Sequence, residues 1–228
     1  MEQHSQQIQA IAWVNSPYKE KFGAPRQPGE VEAAVGLIHF HKDFNPREAF
    51  KEIESFSHLW LLFLFHECIE KDWSPTVRPP RLGGNQRVGV YASRSPFRPN
   101  SIGLSAVKNL GLVEHAKHGL CLKVGGLDLI DQTPIVDIKP YLPHADSIPN
   151  ATSGYAPHEI SHVPIIWRLQ YDQPDRQLIE QTLRLNPVPG YQTKTVGKEY
   201  GITIGDKNIH FISGENDITI TSIKKIDT

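Results

Sequence analysis

Residues 104–129, LSAVKNLGLVEHAKHGLCLKVGGLDL, contain two strand-like runs, 104–113 and 120–129, with no helical pattern between them. Working outward, similar runs occupy 8–14, 31–40, 59–66 and 87–92, and their connections are rich in glycine and proline. One short helix is expected at 46–54: Asn45 is a good N-cap, Pro46 suits a first helical turn, and Phe50 with Ile53 gives a one-sided apolar face. No strand–helix–strand alternation follows. The pattern predicts a mainly β protein with an antiparallel β-barrel domain, in which closure removes exposed sheet edges. Around residues 140–164 the composition shifts to Pro, His, Ser and Ala, which marks a boundary. Beyond it lie a strand at 163–171, a helix at 174–185, the turn NPVPGY and strands at 200–204, 209–212 and 218–223. The division expected is therefore a barrel over 7–147, then a linker and small α+β C-terminal domain over 148–228.

With 39% hydrophobic and 21% charged residues, the chain of 228 falls in the ordinary soluble globular class. Its first residues lack a basic region followed by an apolar run, and the longest apolar stretch, 59–65, is far too short to cross a bilayer. A cytoplasmic location without membrane contact is expected. Cys68 and Cys121, without CxxC spacing, argue against a disulfide scaffold or cysteine-built zinc site and suit reduced core positions. The net charge of −1 hides an asymmetry: residues 73–113 carry Arg78, Arg81, Arg87, Arg94, Arg98 and Lys108 without an acid, so the remainder carries −7. Such a one-sided segment suits an anion-binding surface.

Several chemistries are disfavoured by spacing. A nucleotide-binding glycine-rich turn between a first strand and its helix is absent, and the pairs Gly83-Gly84 and Gly125-Gly126 read as ordinary turns. Ser93, Ser95 and Ser101 lack a G-x-S-x-G elbow. Asp128, Asp131 and Asp137 in DLIDQTPIVDIKPYLP read as turn and strand-end caps rather than a magnesium or calcium loop. His39 and His41 alternate on one strand face but lack a third ligand at recognisable spacing, so they read as surface histidines and no metal is expected. The segment VRPPRLGGNQRVGVYASRSPFRPNSIGLS (77–105) is more informative. Its prolines fix φ and present arginine forks ready-formed to carboxylate or phosphate.

These segments resemble the TrmO family, also called TsaA-like or YaeB-like, of tRNA (adenine-N6)-methyltransferases. The matching stretches are SPYKEKFGAPRQPG (16–29), FSHLWLLFLFHE (56–67), VRPPRLGGN (77–85), SRSPFRPNSIGLS (93–105) and DLIDQTPIVDIKPYLP (128–143). The resemblance implies S-adenosylmethionine as cofactor and the anticodon loop of tRNA as partner. The substrate it implies is the threonylcarbamoyl-modified adenosine immediately 3′ of the anticodon (adenosine-37), methylated on its exocyclic nitrogen. It also implies a β-barrel homodimer with the cofactor near the subunit interface and no metal. Two departures stand out. Gln132 replaces a family glycine in D-Q-T-P, which suggests that a glycine-only backbone conformation is not needed there. In NPVPGY, Asn186 and Val188 replace an acid and an arginine, which weakens the case for an RNA contact from that loop.

By the same resemblance, cofactor contacts are expected from Pro25, Arg26, Gln27, His66, Glu67, Arg94, Leu104, Asp128, Leu129, Ile130 and Asp131, with core packing the alternative for Leu104 and Leu129. Arg26 or Arg94 suits the methionine carboxylate, and oxygens and aromatic faces suit the sulfonium. The acceptor is a ureido nitrogen, made more acidic by its carbonyl, so a base would assist; His66 and Asp131 are the catalytic candidates. Arg78, Arg81, Arg98 and Tyr191 are the expected substrate contacts. The rival from another class is a non-catalytic barrel that binds an adenosylated metabolite or nucleotide.

Overall fold

The computed structural model describes residues 5–69, 72–83, 85–156, 160–188 and 196–226, apart from the side chain of Arg81. Six strands form the larger unit: β1 (Ala12–Asn15), β2 (Val35–Phe40), β3 (His58–Leu64), β6 (Ile102–His115), β7 (Gly119–Gly125) and β8 (Pro134–Pro140). Each pairs antiparallel with two neighbours, in the order β1-β2-β7-β6-β3-β8, and β8 returns to β1, so the sheet closes into a barrel. Two short strands, β4 (Thr76–Val77) and β5 (Val88–Gly89), pair with each other inside the arginine-rich segment. Helix α1 (Pro143–Asp146) follows the barrel. The C-terminal unit contains β9 (Ile165–Trp167), helix α2 (Arg176–Arg184), β10 (Glu199–Ile204), β11 (Lys207–Ser213) and β12 (Ile218–Lys225), in the order β10-β11-β12-β9 with β9 parallel to β12.

Alternation explains the barrel core. Leu59, Leu61 and Phe63 on β3, and Leu122 and Val124 on β7, all point inward onto Ala12, Val14, Ile38 and Ile135. A second core joins Ile179 and Leu183 of α2 to Ile202, Ile204, Ile209, Phe211, Ile218 and Ile220. The segment 16–34 fastens the two cores. Tyr18 is buried with its hydroxyl 3.2 Å from Thr182 Oγ1, Gly205 N donates to Pro17 O, and Ala33 N donates to Gln181 Oε1. Gly23, at φ 93, lies so close to Ile202 that an added Cβ would sit 1.8 Å from its Cδ1.

Several elements differ from the sequence expectation. The helix expected at 46–54 is two 3-10 turns, Arg47–Phe50 and Ile53–Ser55, split by Glu52 at φ 64. Asn45 does not cap it: its amide donates to the His118 and Leu120 carbonyls, while Phe50 turns into the barrel against Phe40. Tertiary packing thus overrides a local helix signal. Strand β8 was hidden within an aspartate motif bounded by prolines. The runs at 31–40 and 87–92 pair only from Val35 and over Val88–Gly89. Both cysteines are free and buried. Among the described residues no helix is long and apolar enough to cross a membrane.

Candidate cofactor and substrate site

The segment 16–34 gathers the other motifs around itself. Ser16 Oγ donates to Leu129 O at 2.6 Å, and Asp131 N donates to Tyr18 O at 2.7 Å. The Asp131 carboxylate accepts from Ser16 N at 2.8 Å and Asn15 Nδ2 at 3.4 Å through one oxygen, and from Lys19 Nζ at 2.8 Å through the other. Lys21 Nζ reaches Glu67 Oε2 at 2.9 Å and Cys68 Sγ at 3.4 Å, which ties down the 3-10 turn His66–Cys68. Arg94 Nη1 donates to Gln27 Oε1, Arg26 N donates to Glu30 Oε2, and Gly29 N donates to Gly126 O at 2.8 Å. Segments 66–68, 94 and 126–131 are therefore held against one loop, although they lie far apart in sequence.

Within this cradle Asp128 carries the most unusual electrostatics. Its Oδ1 and the nearby Ser105 Oγ are buried, and neither meets a partner at full hydrogen-bond geometry, although the Ser105 hydroxyl comes close enough to the carboxylate to favour its charged form. Burial pushes its carboxyl up to about 6, with Glu30 adding to the rise and the Ser105 hydroxyl and Arg94 opposing it. A buried acceptor without a donor is costly unless a ligand supplies one. Pro25 is buried, Arg26 and Arg94 are exposed, and Gln27 lies between them and bonds both. A ligand carrying a carboxylate and several hydroxyl or ammonium donors fits this set: guanidiniums for the former, Asp128 for the latter.

The other expected residues divide. Leu129 is core, and Ile130 packs against that core. Leu104 is 51% exposed and, by strand alternation, faces away from Ser105, so it does not join the Asp128 cradle of its own chain. Arg98 donates Nη1 to the Ser93 and Ser95 carbonyls and braces its own loop, whereas Arg78 is exposed. Arg81 lies in the turn Pro80–Leu82, with its side chain outside the described residues, as is Tyr191. Val188 is core, and Asn186 adopts φ 48. The expectation for D-Q-T-P is overturned: Gln132 stands at φ 62, in the left-handed region that glycine occupies freely. His39, read as a surface residue, is only 6% exposed, while His41 is exposed as expected. Lys19, Lys21 and Ser105 were missed because lysines in a polar loop and a serine in a strand carry no chemical signature until their partners are located.

An antiparallel barrel followed by a small α+β unit, with several distant segments gathered on one loop, sets the chain apart from Rossmann-type nucleotide binders. Residues 13–147 match the tRNA-methyltransferase O N-terminal domain, and residues 167–226 match the TrmO C-terminal domain. The chain belongs to the TrmO family. It is 44% identical to the tRNA (adenine(37)-N6)-methyltransferase of Escherichia coli K12, over 90% of this chain and 92% of that protein. It is 39% identical to a putative S-adenosylmethionine-dependent methyltransferase, RcsF, of Pseudomonas aeruginosa PAO1, over 90% and 91%. A crystal structure of TrmO superposes with a TM-score of 0.78 at 33% identity, covering 96% of this chain and 99% of the other.

Proposed function

We propose that this chain methylates the exocyclic N6 of threonylcarbamoyladenosine at position 37 of tRNA, and that S-adenosylmethionine is bound in the cradle around Asp128. The methyltransferase class and the cofactor follow from family membership along both domains. The observation that supports the binding site is the buried Asp128 Oδ1, which lacks a hydrogen-bond partner, on a carboxylate that lies near Arg94 and the loop carrying Arg26. When bound, the cofactor would supply a methyl group on a sulfonium. What remains for the protein is to bind, align and exclude water.

Arg26 and Arg94 hold the methionine carboxylate, and Asp128 accepts from the cofactor's hydroxyl or ammonium groups. Asp131 has both carboxylate oxygens engaged with Asn15, Ser16 and Lys19, so its work is to hold the 16–19 segment in register. His66 is half-buried, and among the described residues its ring has no hydrogen-bond partner, which leaves it to receive the proton from the acceptor nitrogen. Arg78, with Arg81, meets the threonyl carboxylate and backbone phosphates.

Exposed Ile69, Trp73, Tyr91, Phe97 and Leu104 lie on segments that hydrogen-bond to one another. We read them as the surface of a homodimer, through which Leu104 and the arginine-rich loop approach the second subunit's cofactor. Residues 7–147 then carry cofactor and catalysis, the region after 148 adds a tRNA contact, and the enzyme acts in the cytoplasm. The deciding assay is methyl transfer to tRNA from cells with and without the threonylcarbamoyl pathway. Transfer is expected only to the modified tRNA, because its absence leaves an arginine unpaired. Comparable rates on both would overturn the substrate, and cofactor binding with no transfer to any tRNA would point to a binding module.

A further inference from the structure

The outer face of the barrel carries a second polar cluster, separate from the cradle. The registers Trp13↔His39 and His39↔Cys121 put these three side chains in one row across β1, β2 and β7. Their neighbours Ala12, Val14, Ile38 and Leu122 fill the core, so the row faces outward. The β6–β7 hairpin then folds His115, at the end of β6, and His118, in the turn, over His39. Ring centroids lie 4.7 Å apart for His39–His118, 5.2 Å for His39–His115 and 4.8 Å for His115–His118. One ligand atom from each falls within 4.8 Å of the others.

We propose that His39, His115 and His118 form a binding site for one divalent transition-metal ion of the zinc type, with a fourth coordination position left open. Three imidazoles and an exchangeable position are a recurrent donor set for zinc, whose bonds to nitrogen run about 2.0–2.1 Å. The ligand atoms must close in from their present spread, and His115 and His118, half-buried on a hairpin turn, have room to do so. His39 is the fixed member. Its Nδ1 lies 3.2 Å from Cys121 Sγ, an outer contact that orients the ring and leaves Nε2 for the ion. His115 Nδ1 receives the Lys117 and His118 amides at 3.3 and 3.2 Å, and coordination exchanges these long contacts for a metal bond.

The site is independent of the cofactor. It lies at the His39–Cys121 end of the β2–β7 ladder, whereas Ala34 and Gly126 lead into the cradle at the Val35–Gly125 end. A bound ion would staple the β6–β7 hairpin to β2, joining segments whose Cys121–His39 contact already spans 82 positions of sequence. No local ligand spacing marks the cluster in the sequence, because His115 and His118 are brought beside His39 only by the β2–β7–β6 strand order. The test is titration of the untagged full-length chain with cobalt(II), read by visible absorption, followed by competition with zinc. One equivalent with the bands of a four-coordinate ion is expected, bleached by one equivalent of zinc, with zinc raising the melting temperature. The double variant His115→Ala/His118→Ala should keep S-adenosylmethionine binding and lose about tenfold or more in zinc affinity. Absence of a saturable cobalt spectrum in the wild type, or unchanged zinc affinity in the double variant, would overturn the site. If the double variant does not bind S-adenosylmethionine, His118→Ala alone decides by the same zinc measurement.

Discussion

Asp128 is a side chain whose burial costs stability at neutral pH. Its folded pKa, about 6, lies above the ordinary carboxylate value, so the folded chain holds the proton more tightly than the unfolded one. Its favourable contribution is complete below the unfolded pKa and is lost as pH rises through about 6, leaving a buried charge at neutral pH. Asp128→Asn should therefore stabilise the protein at pH 7.5 by on the order of 2 kcal/mol, with the gain vanishing near pH 4, while weakening S-adenosylmethionine binding at least tenfold. Urea unfolding at both pH values and calorimetric titration check the two halves. Gln132 offers a contrasting case, since its φ of 62 strains a side chain that bonds nothing within the turn. Gln132→Gly should raise unfolding free energy by about 0.5–1 kcal/mol and leave methyl transfer intact, as measured by denaturant midpoint and turnover. From sequence, resemblance made Asp128 an expected cofactor contact, but its orphaned oxygen was not legible, because burial depends on residues distant in sequence, Ser105 among them.

At the scale of elements, the loop 16–34 is the keystone, and its tight approach to β10 is testable. Gly23→Ala would put a Cβ 1.8 Å from Ile202 Cδ1 at a φ of 93. A loss of about 2–3 kcal/mol is expected, and with Ile202→Ala the double variant should be less destabilised than the two singles summed, because the collision is gone while the φ strain remains. Double-mutant unfolding cycles give the answer; strict additivity would mean the two side chains do not meet. Strand periodicity revealed β2, β3, β6 and β7 because each alternates apolar residues against one core. It missed β8, where only Ile135 is fully buried and prolines stand at both ends. The helix signal at 46–54 misled for the opposite reason: its cap and apolar face were real, but Asn45 and Phe50 found better partners on the barrel.

For the whole molecule, the exposed apolar residues near the arginine-rich loop predict self-association. Trp73→Glu should shift light scattering toward monomer and lower methyl transfer at micromolar enzyme, with the barrel's unfolding midpoint unchanged; a dimer that survives would locate the interface elsewhere. A chain of net charge −1 that nevertheless carries six positive charges and no acid over 73–113 also predicts tRNA affinity that falls steeply with salt, more so than cofactor affinity. Closure of the barrel has one more consequence, for the order in which the chain is made. Strand β8 sits between β1 and β3, so the first strand synthesised waits for residue 134 before its second ladder exists. Until then a growing polypeptide exposes two unsealed edges flanked by the apolar run of β3, a template for adhesion between nascent chains. Chains truncated before residue 134 are accordingly candidates for chaperone capture during translation, and release should follow the emergence of β8.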